Sequence, residues 1–214
     1  MSWEAAQKLM VSKAAEDRLW AYLELQQDLV FSRLSSGERL RYVDGALELG
    51  SQWASQFKTP DLLEAVQRRG IAIRAEDLGK NVRASYSLGV ITLNTSALEK
   101  ILHLLPPSFL TLAQLERATI AHEFFHYLEE DMGSVDLCFP TVTVLRLGPW
   151  RVRKARVRAV REIAAHRFAK ELAALPCLPS FFDWLWLAWK SPEFRETFPG
   201  LAAEVGDLLK KHTI

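Results

Sequence analysis

The chain has 214 residues, 49% of them hydrophobic and 25% charged, with a formal net charge of +1. That is enough apolar material for one buried core, and the near-neutral charge argues neither for nor against a polyanionic partner. The start, MSWEAAQKLM, has no apolar run of the kind a secretory leader needs, and FFDWLWLAW (181–189) is interrupted by Asp183 and too short to span a bilayer.

In chain order, residues 3 to 30 read as helix, with apolar positions at Ala6, Leu9, Met10, Ala14, Leu19 and Leu23 and no proline or glycine. SSGERL (35–40) is a turn from which a helix restarts at about Glu38. A further helix ends near QFKTPD, where Thr59 and Pro60 suit the N-terminus of a helix over DLLEAVQRR. Gly70 closes that helix and IAIRA alternates as a short strand. GVITLN (89–94) is a second strand, rich in β-branched residues and ended by Asn94. Pro106 and Pro107 break the chain before Thr111, which has capping-box spacing with Gln114. A helix is therefore expected from about Leu112 to Met132, with Gly133 past its end. TVTVL (141–145) reads as a strand or an extended lid. Gly148 and Pro149 precede a long helix ending before Pro176, and Pro179 sets off an aromatic helical tail. The fold class is α+β, helix-rich with a small β-sheet in its middle.

AHEFFHYLEE (121–130) carries the chemistry. His122 and His126, four apart on a helix, lie one above the other and can share one ion. Glu123 points off that axis and reaches a water on the metal as general base. With five histidines in the chain, such a motif is expected by chance only about 0.01 times. The bland alternative is a solvated or core histidine pair. Catalytic zinc takes three protein ligands at about 2 Å and keeps one position for water, so a third ligand must come from elsewhere. Glu129 and Glu130 lie about one helical turn, 5.4 Å, further along the axis and read as a solvated last turn. Glu129 and Met132 also occupy the positions where a metzincin has glycine and histidine. Glu162 shares a face with Ala165, His166, Ala169 and Ala173, small residues that let two helices approach closely. On spacing alone, Glu162 is as well read as a partner of Arg158 or His166 on its own helix.

LERATIAHEFFHYL followed by REIAAHRFAKELAALP resembles the paired motifs of the ImmA/IrrE family of metallopeptidases, and LLEAVQRRGIAI and VITLN resemble that family's lead-in. The resemblance covers about residues 44 to 178 and implies a minimal, gluzincin-like zincin domain binding Zn²⁺ through His122, His126 and Glu162. Residues 1–43 are then an N-terminal helical extension, and 179–214 an aromatic-rich helical tail packed on the same domain. The resemblance further implies cleavage of a regulatory protein, often a helix-turn-helix repressor. His166 stands where the family signature has Asn, and is expected beside a ligand or the substrate rather than on the metal.

Other residues have weaker claims. The basic run RVRKARVR (151–158) reads mainly as a solvated helical face, so direct nucleic-acid binding is not expected. Arg158, one turn before Glu162, is the exception, placed to orient the ligand carboxylate or a substrate carbonyl. Tyr86 and Tyr127 are candidate oxyanion donors, though packed tyrosines are the duller reading. An extended substrate is expected to pair with an edge strand at Val90–Asn94. Cys138 and Cys177 sit in no metal-like spacing and suit a reducing compartment. The expectation is a soluble, cytoplasmic zinc endopeptidase acting on a regulatory protein, with no membrane contact. Its rival is a module that keeps the metal but sequesters its partner without cleaving it; an intact Glu123 counts against that.

Overall fold

The computed structural model describes residues 1–57, 61–79, 82–147 and 151–211. Its N-terminal segment forms two helices, α1 (Trp3–Ser12) and α2 (Asp17–Gln26). The continuous helix expected over 3–30 is therefore broken at residues 13–16. Trp20 explains the break: its indole N–H donates to the Lys13 carbonyl at 2.9 Å. The ring itself is fully buried, edge-on to Phe181 and stacked on Phe198. Burying an indole with its polar tip satisfied outweighs the few helical bonds lost.

Ser35 and Glu38 form the reciprocal capping box that starts α3 (Ser36–Gln56). This helix runs straight through residues 43 and 44, where the N-terminal extension was expected to end. The expected start at Thr59 and Pro60 lies outside the described residues. What the structure describes is α4 (Leu62–Gln67), capped by the Asp61 carboxylate at 3.0 Å from the Glu64 N–H.

Three strands follow: β1 (Ala72–Ala75), β2 (Ala84–Ser87) and β3 (Val90–Leu93), in the spatial order β1-β3-β2. Leu88 and Gly89 both have positive φ, 48° and 77°, which suits the two-residue turn joining β2 to β3. Strand β3 is parallel to β1 and antiparallel to β2, so it is central. The expectation that Val90–Asn94 offers an edge to substrate is corrected. The edges are β1 and β2, and the β2 sequence ASYS is too short and polar to announce a strand.

Asn94 caps α5 (Thr95–His103). The active-motif helix α6 (Leu112–Met132) has the bounds read from sequence, with the Thr111/Gln114 capping box at its start and Gly133 at φ 91° at its end. Strands β4 (Val142–Leu147) and β5 (Arg151–Ala155) pair as an antiparallel hairpin. Residues 151–155 of the basic run thus form a strand rather than the opening of a long helix, paired with Val142–Leu147 across a register shift between Thr143 and Leu145. Gly148 and Pro149 lie outside the described residues.

Helix α7 (Ala159–Leu172) begins only at Ala159, whose N–H is bonded at 2.9 Å by the carboxylate of Asp28. It lies tightly against α3 at Gly50, where an added Cβ would stand 2.4 Å from the Ala164 carbonyl oxygen. Helices α8 (Ser180–Lys190) and α9 (Pro192–Lys211) close the chain, α8 burying Phe181, Phe182 and Leu185 against α1 and α2. The core runs without interruption from Met10 to Val205. The class is α+β, helix-rich with small sheets. Among the described residues, no helix is long and apolar enough to cross a membrane.

Candidate metal centre

Helix α6 carries His122, Glu123 and His126 on one side, while Phe124, Phe125 and Leu128 are buried on the other. Phe125 packs on Trp53 and Phe168 with ring centroids 4.8 and 5.4 Å away, which ties α6 to α3 and α7. That packing sets the first turn of α7, and hence Glu162, opposite the histidines. The two Nε2 atoms stand 3.2 Å apart. Glu162 Oε2 is 3.3 Å from His122 Nε2 and 3.6 Å from His126 Nε2. These three side chains form a group able to hold a metal ion.

Charge balance points the same way. Burial disfavours a charged His126 ring, but the hydrogen bonds and charges of Glu129 and Glu162 outweigh it and push the imidazole up to about 9. Burial likewise opposes an ionised Glu162, yet the two histidines hold it far below the usual carboxylate range. The carboxylates demand positive charge at this point. A cation between the imidazoles answers that demand as well as a proton does.

Glu123 is half-buried and, with His122, lines a cavity of about 240 Å³. Thr119 and Ala84 form two of its walls, and Arg83 a third. The Arg83 guanidinium is held 2.6 Å from Asp183 and donates to the Pro179 carbonyl, so α8 braces the residue that leads into β2.

His166 is buried on the same cavity, its ring 4.6 Å from that of His122. It stands outside the convergent trio. Burial and the neighbouring His122 keep its imidazole well below the usual range and hence neutral. Its Nδ1 has no hydrogen-bond partner among the described residues. Arg158 is exposed at the start of α7, in the same groove as Glu162. Tyr127 packs against Phe124 and Tyr86, and Tyr86 donates to Glu130 at 3.2 Å. Asn94 is only 1% exposed and donates to the Gly79 and Val82 carbonyls, so it shapes the loop before β2 instead of meeting substrate.

Glu129 overturns its expected place in a solvated last turn. It is 5% exposed and bonded to the ring of His126 and to Arg161. Glu24 is a second carboxylate that sequence reading passed over. It comes from α2 into the groove beside Glu162, where burial and then the charges of Asp183 and Glu162 push it up to about 7. A lone apolar-flanked glutamate on a helix gives no local signal of such a position. No protein-family model, curated protein or solved structure matches the chain, so the resemblance to ImmA/IrrE peptidases rests on its motif residues.

Proposed function

We propose that the chain is a zinc-dependent endopeptidase with a minimal, gluzincin-like site of the ImmA/IrrE kind. The observation that carries this reading is the convergence of His122, His126 and Glu162 beside Glu123 at the mouth of a cavity. Ligand atoms about 2.0–2.1 Å from a tetrahedral zinc ion stand about 3.4 Å from one another. Separations of 3.2, 3.3 and 3.6 Å fit that requirement. When bound, zinc supplies Lewis acidity, acidifying water and polarising the scissile carbonyl.

The chain's own groups account for the remaining steps. Glu123 takes the proton of the attacking water and returns it to the leaving amine. That amine belongs to the residue after the scissile bond, so the cavity Glu123 lines receives this residue's side chain. The substrate backbone pairs with β2. Asn94 N–H donates to the Arg83 carbonyl at 2.8 Å, and in that register Ala84 and Tyr86 turn their backbone groups away from β3. Main-chain recognition of this kind selects weakly for sequence. Following the resemblance, the substrate is a regulatory protein of helix-turn-helix type in the cytoplasm.

Purified protein is expected to carry about one zinc per chain and to cleave a repressor encoded beside it. Glu123→Gln should keep zinc and fold while cutting the cleavage rate by about 10²–10⁴-fold, since it removes only the base. Protein that takes up no zinc even after reconstitution would end the metallopeptidase reading. A Glu123→Gln variant that inactivates its partner in full would instead mark the chain as a sequestering module.

A further inference from the structure

We infer that Glu129 and Arg161 form a brace that positions His126, and through α7 Glu162, for metal binding. This rests on the metal reading of the site but not on any peptidase activity.

Glu129 follows His126 by three residues on α6, so the two side chains share a face. Its position one turn along the axis prevents it from sharing the ion, yet it is 5% exposed. A carboxylate that buried is rare unless it is paired and its oxygens are satisfied. Here both oxygens are. Arg161 grips them as a fork, Nη2 to Oε2 at 2.9 Å and Nε to Oε1 and Oε2 at 2.9 and 3.1 Å. The Val135 N–H donates to Oε1 at 3.0 Å. His126 Nδ1 lies 3.0 Å from Oε2.

The chemistry of the carboxylate fixes what that last contact means. Bonded to a guanidinium and a backbone N–H, Glu129 is ionised and can only accept. Once His126 is neutral, as a metal ligand has to be, its one proton therefore sits on Nδ1, and the lone pair on Nε2 faces His122 and Glu162. Rotating the ring or moving the proton would cost a charge-assisted hydrogen bond. Arg161 is also the residue immediately before Glu162. The fork that holds the guanidinium thus sets the first turn of α7 against the last turns of α6, and with it the distance from Glu162 to the histidines. His122 has no equivalent support: its Nδ1 is buried without a partner among the described residues.

The plain alternative is a buried ion pair that only stabilises the fold. A second network in the same protein provides the control. Asp17 accepts from Arg167 at 2.7 Å and from Lys170 at 2.7 Å, joining α2 to α7 away from the histidines. The experiment measures zinc affinity of the full chain by chelator competition, and the visible absorption of the cobalt-substituted protein. Glu129→Gln, Arg161→Gln and Asp17→Asn are compared, with thermal unfolding recorded for each. Glu129→Gln and Arg161→Gln should bind zinc about 10–100-fold more weakly and shift the cobalt bands. Asp17→Asn should lose stability yet keep wild-type affinity and spectrum. Equal affinity in wild type and Glu129→Gln overturns the brace, as does a matching loss in Asp17→Asn. Wild-type protein that binds neither zinc nor cobalt overturns the metal reading itself, which is a different failure.

Discussion

His166 and Glu162 lie four residues apart on α7, and both face α6, yet only the carboxylate reaches the two Nε2 atoms. The imidazole packs beside His122 at a 39° tilt and stays neutral, with its Nδ1 unpartnered among the described residues. His166→Asn should therefore keep zinc affinity, falling short of the roughly tenfold loss typical where a group holds a ligand in place. Glu162→Ala should lose zinc severely. Metal lost from the first variant and retained by the second would reassign the third ligand to His166. At this scale, the legible part was whatever depends on local spacing. His122 and His126 lie one above the other on a helix whatever surrounds them, with Glu123 beside them, so their placement could be read directly. Glu129 was misjudged because its environment is made by Arg161, 32 residues away, and by Val135 beyond the helix end. Nothing in an EED tripeptide says that one of its carboxylates meets a guanidinium from another helix.

Among elements, the capped helix α6 was readable to its end residues because caps are local chemistry. The segments around it were not. Strand β2 is held by pairing with β3 across a tight turn, and β5 by pairing with β4, so both depend on partners that no local pattern reveals. The crossing of α3 and α7 is another such case. Small residues on the Glu162 face of α7 suggested a close neighbour there, but α3 meets α7 at Ala164 and Arg167, outside that set, and Gly50 is where the two helices touch. A Cβ at Gly50 would stand 2.4 Å from a backbone oxygen and 2.8 Å from Arg167 Cβ. Neither can give way as the end of a flexible side chain would, so one helix must move. Gly50→Ala should destabilise the protein by about 1–3 kcal/mol, measured by denaturant titration. Because the clash falls on the helix that carries Glu162, zinc affinity should drop as well if α7 is the one that yields. Stability and affinity both unchanged would mean that the helices are not packed as closely as this.

For the molecule as a whole, the resemblance covers only residues 44 to 178 and invites a division into extension, domain and tail. The packing argues against treating the first segment as an appendage. Leu19, Trp20, Leu23 and Leu25 are all fully buried, Trp20 between Phe181 and Phe198 of the tail. From the same segment, Asp28 bonds the first N–H of α7, and Glu24 enters the groove beside Glu162. Each fully buried large apolar side chain is worth about 1.5–3 kcal/mol, so these four together account for roughly 6–12 kcal/mol. Total stability for a domain is only about 5–15 kcal/mol. A chain beginning at Ser35, with the capping box of α3 left intact, should therefore fail to fold cooperatively: weak circular dichroism, no sharp thermal transition and no stoichiometric zinc. Adding residues 1–34 back as a separate polypeptide should restore part of the signal, since the lost surface is a contiguous face. A truncated chain that melts sharply and binds zinc like the full protein would show that the central segment carries its own core, and that the N-terminal helices serve another purpose.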